Sequence, residues 1–522
     1  MMKPSSRKIN RRDFLKLALA LPAMPLAAKL KGLDRESQAV RMPASDKQPN
    51  ILVLVFDTLS AAHLPIFGYP RQTTPNISRF AERALVYHNH FATGNFTSPG
   101  TASILTGTYP WSHRAFHLHG TMRPQYTARS FFHLAAPGYH RLGYSHNMLV
   151  TSLLYQLRPD LESFYFSREL ALADTQYSDR LFPQDYNASF WSESLIMRGW
   201  STNPSSLFAS QLYRLWKAWK ERGLVQKYGL DFPQGIASDN DVFYRLEDGI
   251  DWGIERLGDL PQPFLTYLHF LPPHHPYYTR REFVGLFDDG YSPVNKPRNS
   301  FSEMGATKKV LNQRRQAYDE YLAYADAEFG RLYDHLNQSG LLENTCLIFT
   351  SDHGEMFERG IWGHSTRVMY QPLIRVPLLI SKPGQADRED IKIPTSNVDL
   401  VPTLAHILGQ PAPDWSEGRI LPGFTGEEDQ AERSLFAMEM KQNPEHAPLQ
   451  VGSFVLVRWP YKLIHYRGYK DYSSEKDELY NLQNDPEELE NLAAVETETA
   501  RSLRQELEEK LQSANQAYQS GG

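Results

Sequence analysis

Two carboxylates and a histidine follow apolar runs in this chain of 522 residues. Asp57 directly follows the first of these runs. Asp352-His353 follows a second run, from which it is separated by one residue. Two carboxylates and an imidazole form a mixed oxygen and nitrogen set that suits one divalent metal ion. Such a set does not choose sharply between calcium, magnesium, manganese and zinc. Each group alone has a simpler interpretation, with Asp57 as a helix cap and Asp352-His353 as a polar turn.

A turn of small residues, Asn95 to Gly107, is predicted to open into a helix near Thr97. At a helix start, free backbone N–H groups and the positive end of the helix dipole favour an anionic ester oxygen. Beside a divalent cation, a threonine hydroxyl loses its proton more easily and becomes a usable nucleophile. Thr97 is therefore a candidate nucleophile, and the alternative is that it only caps the helix.

Three apolar runs are predicted to position these residues: 50–56, 264–270 and 345–350. Runs that are apolar on both faces are typical of central strands in a parallel sheet covered by helices. Ligands bind at the carboxyl ends of such strands, where all three runs deliver polar residues. Residues 310–336 carry apolar side chains at three- and four-residue steps, which predicts an amphipathic helix on the sheet. The predicted fold class is α/β: a doubly wound, mainly parallel sheet flanked by helices, with a small C-terminal α+β subdomain.

Composition excludes several classes of protein. Lys and Arg number 55 and Asp and Glu number 60, so a formal net charge of −5 argues against nucleic acid as a partner. The one cysteine, Cys346, excludes an internal disulfide framework and a zinc site built on several thiolates. The chain is also not a polytopic membrane protein.

Residues 1–30 are predicted to be a twin-arginine signal segment. Arg11-Arg12 is followed by Phe14-Leu15-Lys16 and then by about a dozen apolar residues, too few to span a membrane. The alternative is an ordinary amphipathic first helix. This interpretation predicts that the twin-arginine export machinery delivers the protein to the bacterial periplasm. No clean Ala-x-Ala cleavage site follows, and an uncleaved segment would associate the protein with the membrane.

The rest of the chain divides into a linker at 31–49, a catalytic α/β domain at 50–433 and a C-terminal subdomain at 434–522. Within the catalytic domain, residues 167–235 are predicted to form a helical insertion. In the C-terminal subdomain, 454–458 and 461–466 have hairpin spacing, and a polar helix is expected from Pro486 to about Tyr518.

The chain resembles sulfatase-like members of the alkaline phosphatase superfamily over about residues 50–495. The motifs that carry this resemblance occur in the family's order: Asp57 after a strand, Thr97-Ser98-Pro99 running to Leu105-Thr106-Gly107, Ser351-Asp352-His353-Gly354-Glu355, Trp362-Gly363-His364, Asn397 to Leu404, Tyr461 to Ile464 and Glu478 to Leu482. The individual motifs are moderately specific, whereas their shared order and spacing are highly specific.

The resemblance implies a site in which Asp57, Asp352 and His353 hold one divalent metal ion. It implies that Thr97 lies beside the metal as ligand and nucleophile. His274 and His364 fall where such enzymes bind the ester or protonate the leaving group. His269 is a weaker candidate, because a histidine at a strand end is more often hydrogen-bonded core.

Two departures from the sulfatase pattern favour phosphorus over sulfur. Sulfatases convert a Cys or Ser, two residues before Pro, to formylglycine, whereas this chain has Thr97 there and Thr101 in place of the family's Arg. Threonine cannot become that aldehyde, and a sulfated threonine could not release sulfate by elimination. A phosphorylated threonine can be attacked in line by water or an alcohol. The resemblance therefore predicts an exported, metal-dependent phosphodiesterase or phosphoryl-group transferase that uses Thr97.

Further departures keep two alternatives open. Thr58, Ala62 and Pro272 replace acidic residues common in the family, and His146-Asn147 occupies the region of a Gly-Lys-x-His segment. Only one metal site is well supported. The alternatives are a sulfuric ester hydrolase without formylglycine and a degenerate, non-catalytic binder of an anionic ligand. The expected partner is in each case an anionic ester or ligand, such as a lipid head group, a glycan or a small molecule.

Overall fold

The structure is a computed structural model. It describes residues 48–135, 138–174, 185, 188, 207–239, 242–299, 301, 305–425, 433–470 and 475–519. The predicted signal segment, the linker up to residue 47 and a large part of the predicted insertion at 167–235 lie outside the described residues.

Nineteen strands are present in the described part of the chain. In chain order they are β1 (Asn50–Phe56), β2 (Leu85–Tyr87), β3 (His90–Phe91), β4 (His140–Ser145), β5 (Ser163–Tyr165), β6 (Ala173–Asp174), β7 (Ser238–Asp239), β8 (Val242–Phe243), β9 (Phe264–Phe270), β10 (Thr345–Thr350), β11 (Met356–Glu358), β12 (Ile361–Gly363), β13 (Leu378–Ser381), β14 (Glu389–Ile391), β15 (Thr395–Ser396), β16 (Leu435–Glu439), β17 (Gly452–Arg458), β18 (Tyr461–Arg467) and β19 (Lys476–Asn481).

Eleven α-helices accompany these strands within the same described ranges. They are α1 (Pro75–Ala81), α2 (Thr97–Thr106), α3 (Pro110–His113), α4 (Phe131–Leu134), α5 (Met148–Gln156), α6 (Leu207–Tyr228), α7 (Leu246–Asp259), α8 (Lys308–Gln338), α9 (Gln371–Ile374), α10 (Leu400–Ile407) and α11 (Thr497–Gln519).

Eight strands form the main sheet, in the order β14-β2-β13-β10-β1-β9-β4-β5. The central strands β10, β1, β9, β4 and β5 run parallel to one another, and β13 is the antiparallel member, pairing with β10 and β2. The three predicted central strands coincide with β1, β9 and β10. The predicted α/β class with a mainly parallel sheet is confirmed.

Both faces of the sheet are buried, as the apolar runs predict. Along β1, Leu52, Leu54 and Phe56 pack on one face with α8, while Ile51, Val53 and Val55 pack on the other with α2, α5 and α10. Successive strand side chains point to opposite faces, so a strand covered on both sides has to be apolar throughout. The predicted helix at 310–336 corresponds to α8.

The strands β16 to β19 form a separate antiparallel sheet of four strands, and α11 packs against it through Leu503, Leu507 and Leu511. The pair β17–β18 lies where the hairpin is expected. The expected helix from Pro486 is wrong in its first part, because α11 begins only at Thr497. In the preceding stretch Glu488 has a left-handed backbone (φ 54°), which an α-helix does not accommodate.

Across the described ranges, none of the helices combines the length and apolar character that a membrane span requires.

Candidate active site

Four neighbouring parallel strands deliver polar side chains to one edge of the sheet. Asp57 follows β1, Asn147 follows β4, and Asp352 follows β10, while His269 is the second-last residue of β9. Because β4, β9, β1 and β10 are adjacent and parallel, their carboxyl ends meet at this edge. The sheet topology therefore assembles residues that are up to about 300 positions apart in the chain.

Asp57, Asp352 and His353 lie close enough to share one metal ion. All three are fully buried, and one ligand atom from each lies within 4.8 Å of the others. Nε2 of His353 is 3.5 Å from Oδ1 of Asp57 and 3.6 Å from Oδ2 of Asp352. Metal–ligand bonds of about 2.0–2.6 Å place ligands on one ion no more than about 5 Å apart. The three predicted ligands are thus brought together at suitable spacing.

The two oxygens of Asp57 have different surroundings. Oδ2 accepts hydrogen bonds from Nδ2 of Asn147 (2.6 Å) and is 3.2 Å from Nε2 of His269. Oδ1 is buried and has no hydrogen-bond partner among the described residues. Burial raises the pKa of this carboxyl to about 6, since a charged group without solvent is unstable unless another charge compensates it. A buried carboxylate oxygen without a partner fits a bound cation.

The backbone fixes the tautomer of His353 in the form that a metal requires. Nδ1 lies 3.0 Å from the carbonyl oxygen of Gly354, so this nitrogen carries the proton and donates it. The lone pair therefore resides on Nε2, the atom that faces Asp57 and Asp352. Metal-binding histidines typically use their second nitrogen in this way.

Asp352 is held by main-chain donors. Its Oδ1 accepts hydrogen bonds from the backbone N–H groups of His353 (3.0 Å) and Thr58 (3.4 Å), and its Oδ2 accepts one from Oγ1 of Thr101 (3.4 Å). Burial, and then the nearby charge of Asp57, raise the pKa of Asp352 to about 6. Thr101, which stands where sulfatases have an Arg, thus donates a hydrogen bond to Asp352, a candidate metal ligand.

Thr58 has a left-handed backbone with φ 61°, which is unfavourable for a β-branched residue. Such strain costs about 1–3 kcal/mol and persists only when the surroundings impose it. Its N–H group points to Asp352, and its carbonyl accepts the hydroxyl proton of Tyr318 at 2.8 Å. Position 58 therefore contacts the candidate site through its main-chain N–H group. It does not supply a second carboxylate.

Thr97 is the first residue of α2, and its side chain does not cap the helix. Its Oγ1 lies 3.4 Å from Nε2 of His353 and 3.4 Å from Nδ2 of Asn147. Helix α2 approaches this closely because Gly100 has no side chain: a Cβ there would lie 2.2 Å from the carbonyl oxygen of Asp352. The predicted nucleophile therefore shares the space of the three candidate ligands, beside the N-terminus of a ten-residue helix.

A second group of histidines adjoins this site. The ring of His364 is 4.6 Å from that of His353 and 5.0 Å from that of His274, measured between ring centroids. Imidazole nitrogens of His274, His275 and His364 lie within 4.8 Å of one another. Burial holds the pKa values of His274 and His364 well below the usual range, so both rings are neutral. The structure thus brings both predicted histidines to the site.

Glu355 orients His364. Its carboxylate oxygens are 3.1 and 3.2 Å from Nδ1 of His364, and its Oε2 also accepts the hydroxyl proton of Tyr277 at 3.0 Å. Burial raises the pKa of Glu355 to about 7. With Nδ1–H donated to Glu355, the lone pair of His364 lies on Nε2.

Asn147 and Glu355 contact the site residues, but the sequence alone did not identify a role for either of them. His146, next to Asn147, is different: it is buried, and its ring stacks 4.6 Å from that of Tyr244. In the part of the chain that the structure describes, neither of its ring nitrogens has a hydrogen-bond partner. His146 packs in the core, whereas Asn147 reaches the site.

The family model described as "Sulfatase" matches residues 49–410, and the model "N-sulphoglucosamine sulphohydrolase, C-terminal" matches residues 358–517. A choline-sulfatase of Rhizobium meliloti is 25% identical over 474 residues, which covers 85% of this chain and 82% of that protein.

Solved structures share the fold. The phosphonate monoester hydrolase of Agrobacterium radiobacter aligns with a TM-score of 0.61 at 20% identity, over 90% of this chain and 95% of that one. A structure in complex with its substrate D-glucosamine-2-N,6-O-disulfate aligns with a TM-score of 0.62 at 18% identity, over 91% and 99%.

Proposed function

Because the chain belongs to the sulfatase family of sulfate and phosphate ester hydrolases, we propose that it hydrolyses phosphodiesters or transfers a phosphoryl group through Thr97. The observation that carries this proposal is the placement of Oγ1 of Thr97, 3.4 Å from Nε2 of His353 and next to Asp57. A threonine there can form and release a phosphate ester, but it cannot follow the formylglycine route.

Asp57, Asp352 and His353 would hold the divalent ion, with Thr97 as a further ligand. When bound, the ion lowers the pKa of the Thr97 hydroxyl and balances the charge of the ester oxygens. Family members bind such an ion, and the partnerless Oδ1 of Asp57 supports the same use here. The donor set leaves the metal identity open between calcium, magnesium, manganese and zinc.

The residues around Thr97 have separate tasks. Asn147 holds Asp57 and lies beside the attacking oxygen, so it orients both groups. The N-terminus of α2 offers backbone N–H groups to the ester oxygens. His364, neutral and oriented by Glu355, has a free lone pair on Nε2, and His274 lies next to it. A neutral imidazole has to accept a proton before it can protonate a leaving group, so these two histidines would carry a proton between the attacking and leaving oxygens.

The alternative substrate is a sulfate ester. The choline-sulfatase relative supports it, since the resemblance extends over 82% of that protein. The lack of a Cys or Ser at position 97 argues against it.

A substrate panel tests the proposal. The purified full chain is loaded with each divalent metal in turn and offered an aryl phosphodiester, an aryl phosphomonoester and an aryl sulfate. We expect preference for the diester, and its loss in Thr97→Ala with metal content and fold retained. Faster release of sulfate than of any phosphorus product would establish the alternative. Absence of turnover together with absence of metal binding in a stably folded protein would favour the non-catalytic alternative.

We also propose export through the twin-arginine pathway to the periplasm, from the sequence of residues 1–30. Replacing Arg11 and Arg12 together by Lys is expected to retain the protein in the cytoplasmic fraction. Unchanged periplasmic recovery of the double variant would contradict this proposal.

A further inference from the structure

Helix α6 exposes large apolar side chains to solvent. Of thirteen exposed large hydrophobic residues among those described, five lie between positions 215 and 230. On the helix, Leu215 is 68% exposed, Trp216 44% and Trp219 63%, and Leu230, two residues beyond its end, is 83% exposed. Tryptophan side chains are normally buried in proteins, so two adjacent exposed ones mark an interaction surface.

Exposed residues occupy most of the circumference of α6 between residues 214 and 228. Leu215, Trp219, Arg222 and Gln226 follow one another at helical spacing and are exposed, while Leu224 and Tyr228 on the opposite face are buried in the core. The inner face attaches the helix to the protein. The solvent-facing remainder, which includes Trp216, Lys220, Val225 and Lys227 on either side of this row, is called the α6 face.

The charge of α6 identifies the chemistry of that partner. The helix contains five basic residues (Arg214, Lys217, Lys220, Arg222 and Lys227) and one acidic residue, Glu221, which gives a net charge of +4. The whole chain has the opposite sign, with a net charge of −5. A concentrated positive charge on an acidic protein is complementary to an anionic surface.

Basic and aromatic side chains are interleaved on this helix. Nζ of Lys220 lies 4.9 Å from the ring centroid of Trp216 and 5.4 Å from that of Trp219, and the two indole rings are 5.5 Å apart. Tryptophan and lysine together are typical of helices that lie in a membrane interface, where the rings enter the head-group layer and the ammonium groups meet lipid phosphates.

We propose that the α6 face binds the surface of an anionic phospholipid bilayer. A second copy of this chain fits less well, because a two-fold contact through α6 would bring two helices of charge +4 together. This proposal concerns attachment of the protein to a membrane surface. It is separate from the proposed reaction at Thr97 and does not depend on it.

The segment that follows α6 is held by hydrogen bonds to another part of the chain. The backbone N–H of Arg281 donates to the carbonyl of Asp231 (2.7 Å), and that of Thr279 donates to Oε1 of Gln234 (3.2 Å). The segment after α6 is thereby fixed to the chain that begins four residues beyond His275.

Vesicle co-sedimentation of the full chain tests the proposal. Vesicles of phosphatidylglycerol and phosphatidylethanolamine in a ratio of one to three are compared with vesicles of phosphatidylcholine alone. We expect partitioning onto the anionic vesicles to be stronger by at least about tenfold and to weaken as salt is raised. Equal binding to both kinds of vesicle, or no binding to either, would overturn the proposal.

Variants locate the binding on α6. Trp216→Ser with Trp219→Ser, and separately Lys220→Glu with Lys227→Glu, are each expected to lower partitioning by at least about tenfold. The matched controls are Leu489→Ser with Val495→Ser, and Arg501→Glu with Lys510→Glu, all at exposed positions elsewhere. They are expected to bind as the unaltered chain does. The N-terminal segment is identical in all of these proteins, so its own lipid affinity cancels.

Turnover of a small soluble ester, measured on the same variants, should stay within about twofold of the unaltered chain, because the α6 face does not touch the ester. Undiminished vesicle binding by both α6 variants would refute the assignment of the surface. So would a self-association that the tryptophan variant abolishes without any vesicle binding, since α6 would then be a protein interface.

Discussion

The side-chain amide of Asn147 donates a 2.6 Å hydrogen bond to Oδ2 of Asp57, ninety residues away in the chain. This bond occupies one carboxylate oxygen and leaves Oδ1 free toward His353. Oδ1 of Asn147 also accepts the backbone N–H of Leu149 at 2.8 Å, which caps α5. A single side chain thus fixes a helix start and the orientation of a candidate metal ligand.

Asn147→Ser separates these two tasks. Serine still caps a helix, but the hydrogen bond to the buried Asp57 is lost, so stability should fall by about 1–3 kcal/mol. It cannot reach Asp57, and loss of such an outer contact typically lowers metal affinity or activity about 10- to 100-fold. Isothermal metal titration and turnover measure the effect. The control Asn89→Ser removes an exposed amide whose contact is a backbone carbonyl at 2.7 Å. Unchanged metal affinity and turnover in Asn147→Ser would show that the contact has no role in the site.

Glu355 is expected to act through His364 by orienting its ring. In Glu355→Gln the side-chain size is retained, but the amide no longer fixes Nδ1 of His364 as the donor. We expect kcat to fall by at least about tenfold with KM within about threefold, because the ring is misoriented while the ester still binds. Glu358→Gln, which alters an ion pair with Lys296 at 2.8 Å, is the matched control. A rise in KM at constant kcat would instead assign Glu355 to substrate binding.

The central strands and their chemistry were predictable because their signals are local. The runs 50–56, 264–270 and 345–350 are buried on both faces, so nearly every residue is apolar and the pattern needs no partner to be recognised. Asp57, Asp352 and His353 then follow from the rule that ligands gather at carboxyl ends of parallel strands.

The contacts of Asn147 and Glu355 could not be predicted in the same way. Strand β4, which positions Asn147, begins with the half-buried His140 and Arg141 near the sheet edge, so it lacks an apolar run. The pairing of Glu355 with His364 depends on the antiparallel turn between β11 and β12, which is a tertiary feature. The sequence does place an Asn at a helix start after Ser145, and that local signal is the one that could have identified it.

The close approach of α2 to the Asp352 loop is expected to depend on Gly100. A Cβ at this position would meet the carbonyl oxygen of Asp352 at 2.2 Å, so Gly100→Ala has to displace either the helix or the loop. We expect a loss of about 1–3 kcal/mol in unfolding free energy and impaired metal binding.

Gly253→Ala in α7 is the control for helix propensity. Its Cβ would lie 3.7 Å from Leu268, an ordinary contact, so this variant should gain about 0.5–1 kcal/mol. Chemical denaturation of the two variants measures both effects. Equal stability changes in the two would contradict the steric explanation.

Buried His113 is expected to make the fold sensitive to acid. Its Nδ1 accepts the backbone N–H of Ala115 (3.0 Å), and its Nε2–H donates to Oγ of Ser103 (3.1 Å), so the ring is neutral. Burial lowers its pKa to about 3. As pH falls below about 6.5, the unfolded chain binds a proton here and the folded chain does not, so stability is lost from about pH 6.5 downward.

One such group contributes a slope of about 1.4 kcal/mol per pH unit. His113→Gln cannot titrate, so its unfolding free energy should depend less steeply on pH than that of the unaltered protein, by about this amount between about pH 6 and about pH 4. Denaturant unfolding at several pH values measures both slopes. Parallel curves would mean that His113 has the same pKa in the folded and the unfolded chain.

The most direct test of the central claim is to detect the covalent intermediate on Thr97. The metal-loaded full chain is mixed with a phosphodiester labelled at phosphorus, quenched in acid within the first turnover and mapped by peptide mass spectrometry, with Thr97→Ala as the control. We predict label on the peptide that contains Thr97, at that residue, and none in the variant. Turnover of the diester without label on Thr97, or turnover that persists in Thr97→Ala, would contradict the assignment of Thr97 as the nucleophile.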